Sequence, residues 1–141
     1  MTLHQQTFAP SGDSLTQVFD FLARHCDELA IGADLRLKLQ LAAEELFTNI
    51  IKYAGDPQGA PVLIGLQRLE RAIDLTIEDH GAPFNPFEQT AGPSAEAALE
   101  DRKVGGLGLL LVQSLASATT YRRVGETNCV RLSFALTGYP G

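Results

Sequence analysis

The chain has 141 residues, of which 45% are hydrophobic and 20% charged, and carries a net charge of −6. This length fits one domain, residues 1–141, with a real core, and the balance is globular rather than disordered. The acid excess disfavours a nucleic-acid binder, which presents a basic face, and no apolar run approaches the ~20 residues of a membrane helix. The first ten residues, "MTLHQQTFAP", lack the basic-then-apolar pattern of a signal peptide, so a cytoplasmic location is expected.

The segment "TLHQQTFAP" is short, polar and partly alternating, as for an edge strand. Ser11 to Ser14 offer capping residues. From Leu15 the apolar positions Leu15, Val18, Phe19, Leu22 and Ala23 follow helical spacing. Gly32 punctuates, and Asp34 is placed to cap a second helix from Leu35 to about Ala54. Its stripe includes Leu35, Leu39, Ala42, Leu46, Ile50 and Tyr53, with Gly55 at the C-terminal cap position and "GDPQGAP" as a turn.

"VLIGLQRL" and "AIDLTIED" then read as an antiparallel hairpin with a polar outer and an apolar inner face, the latter suited to cover by helices. The stretch from His80 to Val104 has no strand pattern; "SAEAALEDRK" within it has helical character. A connection this long is usually functional or mobile. "GGLGLLLVQSLAS" is a glycine-rich turn opening an apolar helix, and "ATTYRRVGE" and "NCVRLSFAL" are closing strands joined at Gly125-Glu126-Thr127. This order predicts an α+β two-layer sandwich with a mostly antiparallel sheet.

Cys26 and Cys129 lie in apolar segments without metal-ligand spacing and read as buried free thiols. His4, His25 and His80 are scattered. None stands with Cys or Asp in a zinc-like or triad-like pattern, so metal hydrolysis and nucleophilic catalysis have no sequence support.

Three clusters could carry chemistry. Glu45, Asn49 and Lys52 recur at spacings of four and three, on one helical face. A carboxylate there can take a proton, an amide oxygen can ligate a hard cation and a lysine can meet phosphate. Taken alone, the row reads better as a solvated helix edge, because such rows occur on many helices. "EDHGAPF", Glu78 to Phe84, ends a strand; Asp79 could accept a hydrogen bond from an exocyclic amine, and Gly81 would let a flat ring approach the backbone. Taken alone, it is a plain turn. In "VGGLGLLLV", three glycines precede an apolar helix, and the free N–H groups and dipole of that helix end suit phosphate. It is neither a P-loop nor a Rossmann fingerprint, and a flexible packing turn accounts for it equally well.

In order, these segments resemble the GHKL (Bergerat) ATP-binding fold. "EELFTNIIKYA", "DHGAPFNP" and "LEDRKVGGLGLLLV" are similar to the bacterial anti-sigma-factor serine kinases and their histidine-kinase-like ATPase relatives, over about Leu37 to Val112. Pro83-Phe84, where gyrase-like and chaperone relatives have a second glycine, fits the anti-sigma branch. In the last strand "TNCVRL", Asn128 stands near where many members place Gly-Thr.

The resemblance implies a two-layer GHKL sandwich with helices on one face of a mixed, mostly antiparallel sheet. It implies ATP and Mg²⁺, with Glu45 as general base and Asn49 as both a nucleotide contact and the metal ligand. Lys52 would lean toward the phosphates, Asp79 would accept the adenine N6 amine, and Gly81 and Phe84 would complete the adenine side. The ATP lid would run from about residue 85 to 104, with Arg102 and Lys103 as phosphate contacts. Gly105, Gly106, Leu107 and Gly108 would wrap the phosphates. The implied activity is that of an ATP-dependent protein-serine/threonine kinase acting as a partner-switching anti-sigma regulator. The implied partners are a sigma factor or similar regulator, a STAS-domain anti-anti-sigma protein and a second copy of the chain. A nucleotide-gated binding module without phosphotransfer, or an interaction domain with a decayed site, is the alternative.

Overall fold

The computed structural model describes residues 2–54, 59–88 and 107–136. β1 (Leu3–Phe8) leads through a 3-10 turn, Gly12–Ser14, into α1 (Leu15–Glu28) and α2 (Ala33–Asn49). β2 (Val62–Arg68), β3 (Ala72–Asp79), α3 (Leu107–Leu115), β4 (Ala118–Val124) and β5 (Thr127–Ala135) follow. The Gly55 cap, the helical stretch at 94–103 and most of the expected lid lie outside the described residues.

The five strands form one sheet in the order β1-β2-β3-β5-β4, and all four pairings are antiparallel. Period-two patterning sets its faces. Ile73, Leu75 and Ile77 of β3 and Val130, Leu132 and Phe134 of β5 point inward. They form one core with Val18, Phe21 and Leu22 of α1, Leu39, Leu46 and Phe47 of α2, and Leu109 and Val112 of α3. The helices thus cover one face, as the inner apolar rows require. Each inward row ends on a polar residue. The register sets Asp79 directly opposite Asn128, so the sheet brings the two together.

Packing departs from the expected stripes at four places. In α1, Phe21 is fully buried and Ala23 exposed, because the Phe21 ring meets Phe8 of β1 edge-on at 5.8 Å and buries more area than an alanine could. α2 begins at Ala33 with Gly32 as its N-cap, leaving Asp34 in the first turn, where its charge suits the helix dipole. Beyond Asn49 the helix continues as a π turn, Ile50–Ala54. Its wider i→i+5 pitch takes Tyr53 out of the stripe: Leu46 and Ile50 are buried, whereas Tyr53 is 52% exposed. Cys26 is a buried free thiol, but Cys129 is only partly buried, because it alternates outward onto the uncovered sheet face. Burial pushes both thiols up, so neither is activated at neutral pH.

Candidate active site

A small apolar pocket lies between the end of α2, β3, β5 and the loop after β3. Leu46, Ile50, Ile77, Val130, Phe84 and Pro86 give it apolar walls, and Asn49 and Asp79 supply its polar lining. A flat apolar ring with an amine at its edge suits such a lining.

Asp79 is 6% exposed. Its Oδ1 accepts from the Gly81 backbone N–H at 2.8 Å and from Asn128 Nδ2 at 3.0 Å. Among the described residues Oδ2 meets no donor, which leaves one carboxylate oxygen for a ligand. Gly81 therefore closes the turn that holds Asp79, and its carbonyl accepts from Arg123 at 2.7 Å.

Asn128 is the hub of this end and is 1% exposed. Its amide donates to Asp79 and, at 2.8 Å, to the Ala82 carbonyl. Its Oδ1 accepts from the Phe84 N–H at 3.2 Å and from the Tyr121 hydroxyl at 2.6 Å. One side chain thus binds β3, β4 and two positions of the loop, with both amide hydrogens and the carbonyl oxygen used. Phe84 also stacks on Tyr53 at 5.7 Å and 21°, which covers the mouth of the pocket.

The other end is built by α2 and α3. Asn49 is 5% exposed, and its Nδ2 donates to the Glu45 carbonyl one turn earlier, at 2.6 Å. That bond orients the amide, and Oδ1 has no donor among the described residues. A buried amide oxygen without a partner carries an unmet cost of about 1–3 kcal/mol, which a hard cation would relieve. Oxygen donors of this kind suit Mg²⁺.

Glu45 is half-buried, whereas its neighbour Glu44 is exposed. The Glu45 carboxylate lies against Gly108 in the first turn of α3, so a Cβ at that position would fall on it. Burial, and then the charge of Glu44, push the Glu45 carboxyl up; Lys52 opposes them. Lys52 is exposed and makes no ion pair among the described residues, although its charge acts on Glu45.

Of the described site residues, Asn49, Asp79 and Phe84 line the pocket, Gly81 bonds to Asp79, and Gly108 lies against Glu45, one turn before Asn49. Leu107 opens α3, while Arg102, Lys103, Gly105 and Gly106 lie outside the described residues. Sequence reasoning missed Tyr121, Arg123 and the outward Tyr53. Tyr121 and Asn128 are diagonal neighbours on one face of the β4–β5 hairpin, seven residues apart in sequence, and only the strand register reveals them.

Known proteins resemble this chain in sequence or in fold. The serine/threonine-protein kinase BtrW of Bordetella bronchiseptica is 35% identical over 102 residues, 72% of this chain and 71% of that protein. The serine-protein kinase RsbW of Halalkalibacterium halodurans is 29% identical over 80 residues, 55% of this chain and 49% of that protein. Among solved structures, a chain of the SiaB–SiaC complex of Pseudomonas aeruginosa aligns with a TM-score of 0.61 at 15% identity, over 94% of this chain and 89% of its own length. The histidine kinase AdeS of Acinetobacter baumannii aligns at 0.52 and 16% identity, over 98% of this chain and 70% of its own. At those identities the likeness is one of fold. The model of the histidine kinase-like ATPase domain matches residues 8–134, which takes in every described site residue, and the chain belongs to that family.

Proposed function

We propose that this chain is an ATP- and Mg²⁺-dependent protein-serine/threonine kinase of the partner-switching type. It holds a sigma factor or similar regulator and phosphorylates a Ser or Thr of a small STAS-type antagonist. The observation that carries this reading is one apolar pocket lined by both Asp79, which Asn128 holds with Oδ2 left for a ligand, and Asn49, whose amide bonds to the Glu45 carbonyl and whose Oδ1 meets no donor among the described residues. The family membership and the kinase names of the two relatives support it.

In this reading Asp79 Oδ2 accepts the adenine amine while Leu46, Ile50 and Val130 hold the ring. The α3 N-terminus and its preceding glycines meet the phosphates. Asn49 Oδ1 would hold Mg²⁺, which when bound neutralises phosphate charge. Glu45 accepts the proton of the acceptor hydroxyl as its oxygen bonds to the γ-phosphorus. The bond from that phosphorus to the β–γ bridging oxygen breaks, and ADP leaves. Such transfer depends mostly on positioning and charge neutralisation, so few side chains suffice. The raised Glu45 carboxyl suits a proton acceptor better than an ordinary surface carboxylate would.

The test is incubation with γ-labelled ATP, Mg²⁺ and a STAS domain bearing the acceptor hydroxyl. Label should enter the STAS protein with wild type and not with Glu45→Ala. Equal transfer by both would refute the role of Glu45. Tight nucleotide binding and partner capture without labelled product would show a gated binding module instead.

A further inference from the structure

Away from the nucleotide pocket, the edge strand and the first helix bring three donor groups to one point. His4 lies on the inward row of β1, and His25 and Glu28 stand one turn apart at the end of α1. Among the described residues this is the one group of three whose ligand atoms could hold a metal, all lying within 4.8 Å of one another. His25 Nδ1 is 3.1 Å from Glu28 Oε2, and His4 Nε2 is 3.8 Å from the same oxygen. The two imidazoles stack at 4.2 Å with a 22° tilt. Their side chains are mostly covered, at 18% and 16% exposure, while Glu28 is open to solvent.

From these distances we infer that His4, His25 and Glu28 form a divalent transition-metal site of the zinc class. Two imidazoles and a carboxylate are a donor set that zinc takes readily, and three protein ligands leave a fourth position for water. Zinc–ligand bonds of 2.0–2.2 Å make the edge of a tetrahedron about 3.3 Å. The His25–Glu28 edge already has that length, and the His4 edge is about half an ångström longer. A turn of the His4 ring out of the stack would let its in-plane lone pair reach the ion. His25 needs less movement, because Phe21 packs against it edge-on at 4.7 Å and fixes its ring. Since β1 is the outer strand of the sheet, the ion would tie its start to the end of α1.

The inference is independent of the nucleotide site and is tested without it. Tag-free full chain is titrated with Zn²⁺ alone by calorimetry, and its melting is followed with and without the ion. One zinc per chain should bind with a dissociation constant of about 10 μM or tighter. At zinc a hundredfold above that constant, Tm should rise by at least about 5 °C. His4→Gln and His25→Gln should each weaken binding at least tenfold while melting like wild type in the absence of metal. His80→Gln should bind as wild type. Co²⁺ in place of zinc should give the visible absorption of a four-coordinate site, lost in His4→Gln. No saturable binding below 100 μM, or binding that survives both histidine variants, would overturn the assignment.

Discussion

At the Asp79 end of the pocket the protein satisfies nearly every polar group itself. At the Glu45 end it leaves an amide oxygen of Asn49 and a half-buried carboxylate without donors among the described residues. Asn128 alone makes four hydrogen bonds, whereas Asn49 makes one. On the proposed reading the first end recognises the base and is worth building rigidly, because the adenine ring is the same in every turnover. An end that must meet a highly charged phosphate, a cation and an acceptor hydroxyl in turn cannot be saturated by the protein beforehand. Substitutions at the first end should therefore cost folding and affinity together. At the second they should cost chemistry with little loss of stability.

The largest effect is expected at Glu45. Glu45→Gln should lower phosphotransfer about 10²- to 10⁴-fold, the range for loss of a general base. Its folded pKa lies above its unfolded one, so the folded state holds the proton more tightly, and stability declines as pH rises through the folded value. Glutamine removes that penalty, so at neutral pH Tm should stay level or rise by up to about 3 °C in a thermal melt. In wild type the same shift means that the acid limb of the rate profile falls at a pH above the ordinary glutamate range.

Next comes Asn128→Ala, which strands Asp79, Ala82, Phe84 and Tyr121 at once. Buried groups left unpaired cost about 1–3 kcal/mol, so Tm should drop by several degrees and ATP affinity should fall at least tenfold by calorimetry. Gly108→Ala pushes a methyl group into the Glu45 carboxylate. Overpacking of this kind costs about 1–3 kcal/mol, and the transfer rate should fall more than ATP affinity does. The smallest effect is Tyr121→Phe, which removes one hydrogen bond from a hub that keeps its others, at about 1 kcal/mol. Equal losses from Asn128→Ala and Glu45→Gln in both stability and chemistry would erase the distinction between the two ends.

The order of the elements, the α+β class and the inward row of β3 were readable from sequence, because alternation and glycine punctuation are local signals. Motif order also singled out Asn49 and Asp79, which line one pocket, and Glu45, whose carbonyl holds the Asn49 amide. What escaped was set by register and by tertiary packing. The π turn after Asn49 takes Tyr53 out of the core stripe and onto Phe84, and nothing in a 3.6-residue period announces it. Phe21 outcompetes Ala23 for the core because Phe8 sits across from it. His4 and His25 looked scattered, since only the docking of β1 on α1 stacks them.

The central claim is that Glu45 serves the chemistry and not the binding of nucleotide. Single-turnover transfer to the acceptor protein, measured with Glu45→Gln saturated in Mg²⁺–ATP, addresses it most directly. The account predicts a rate at least about 100-fold below wild type with ATP affinity within about threefold of it. A wild-type rate at saturation would contradict it.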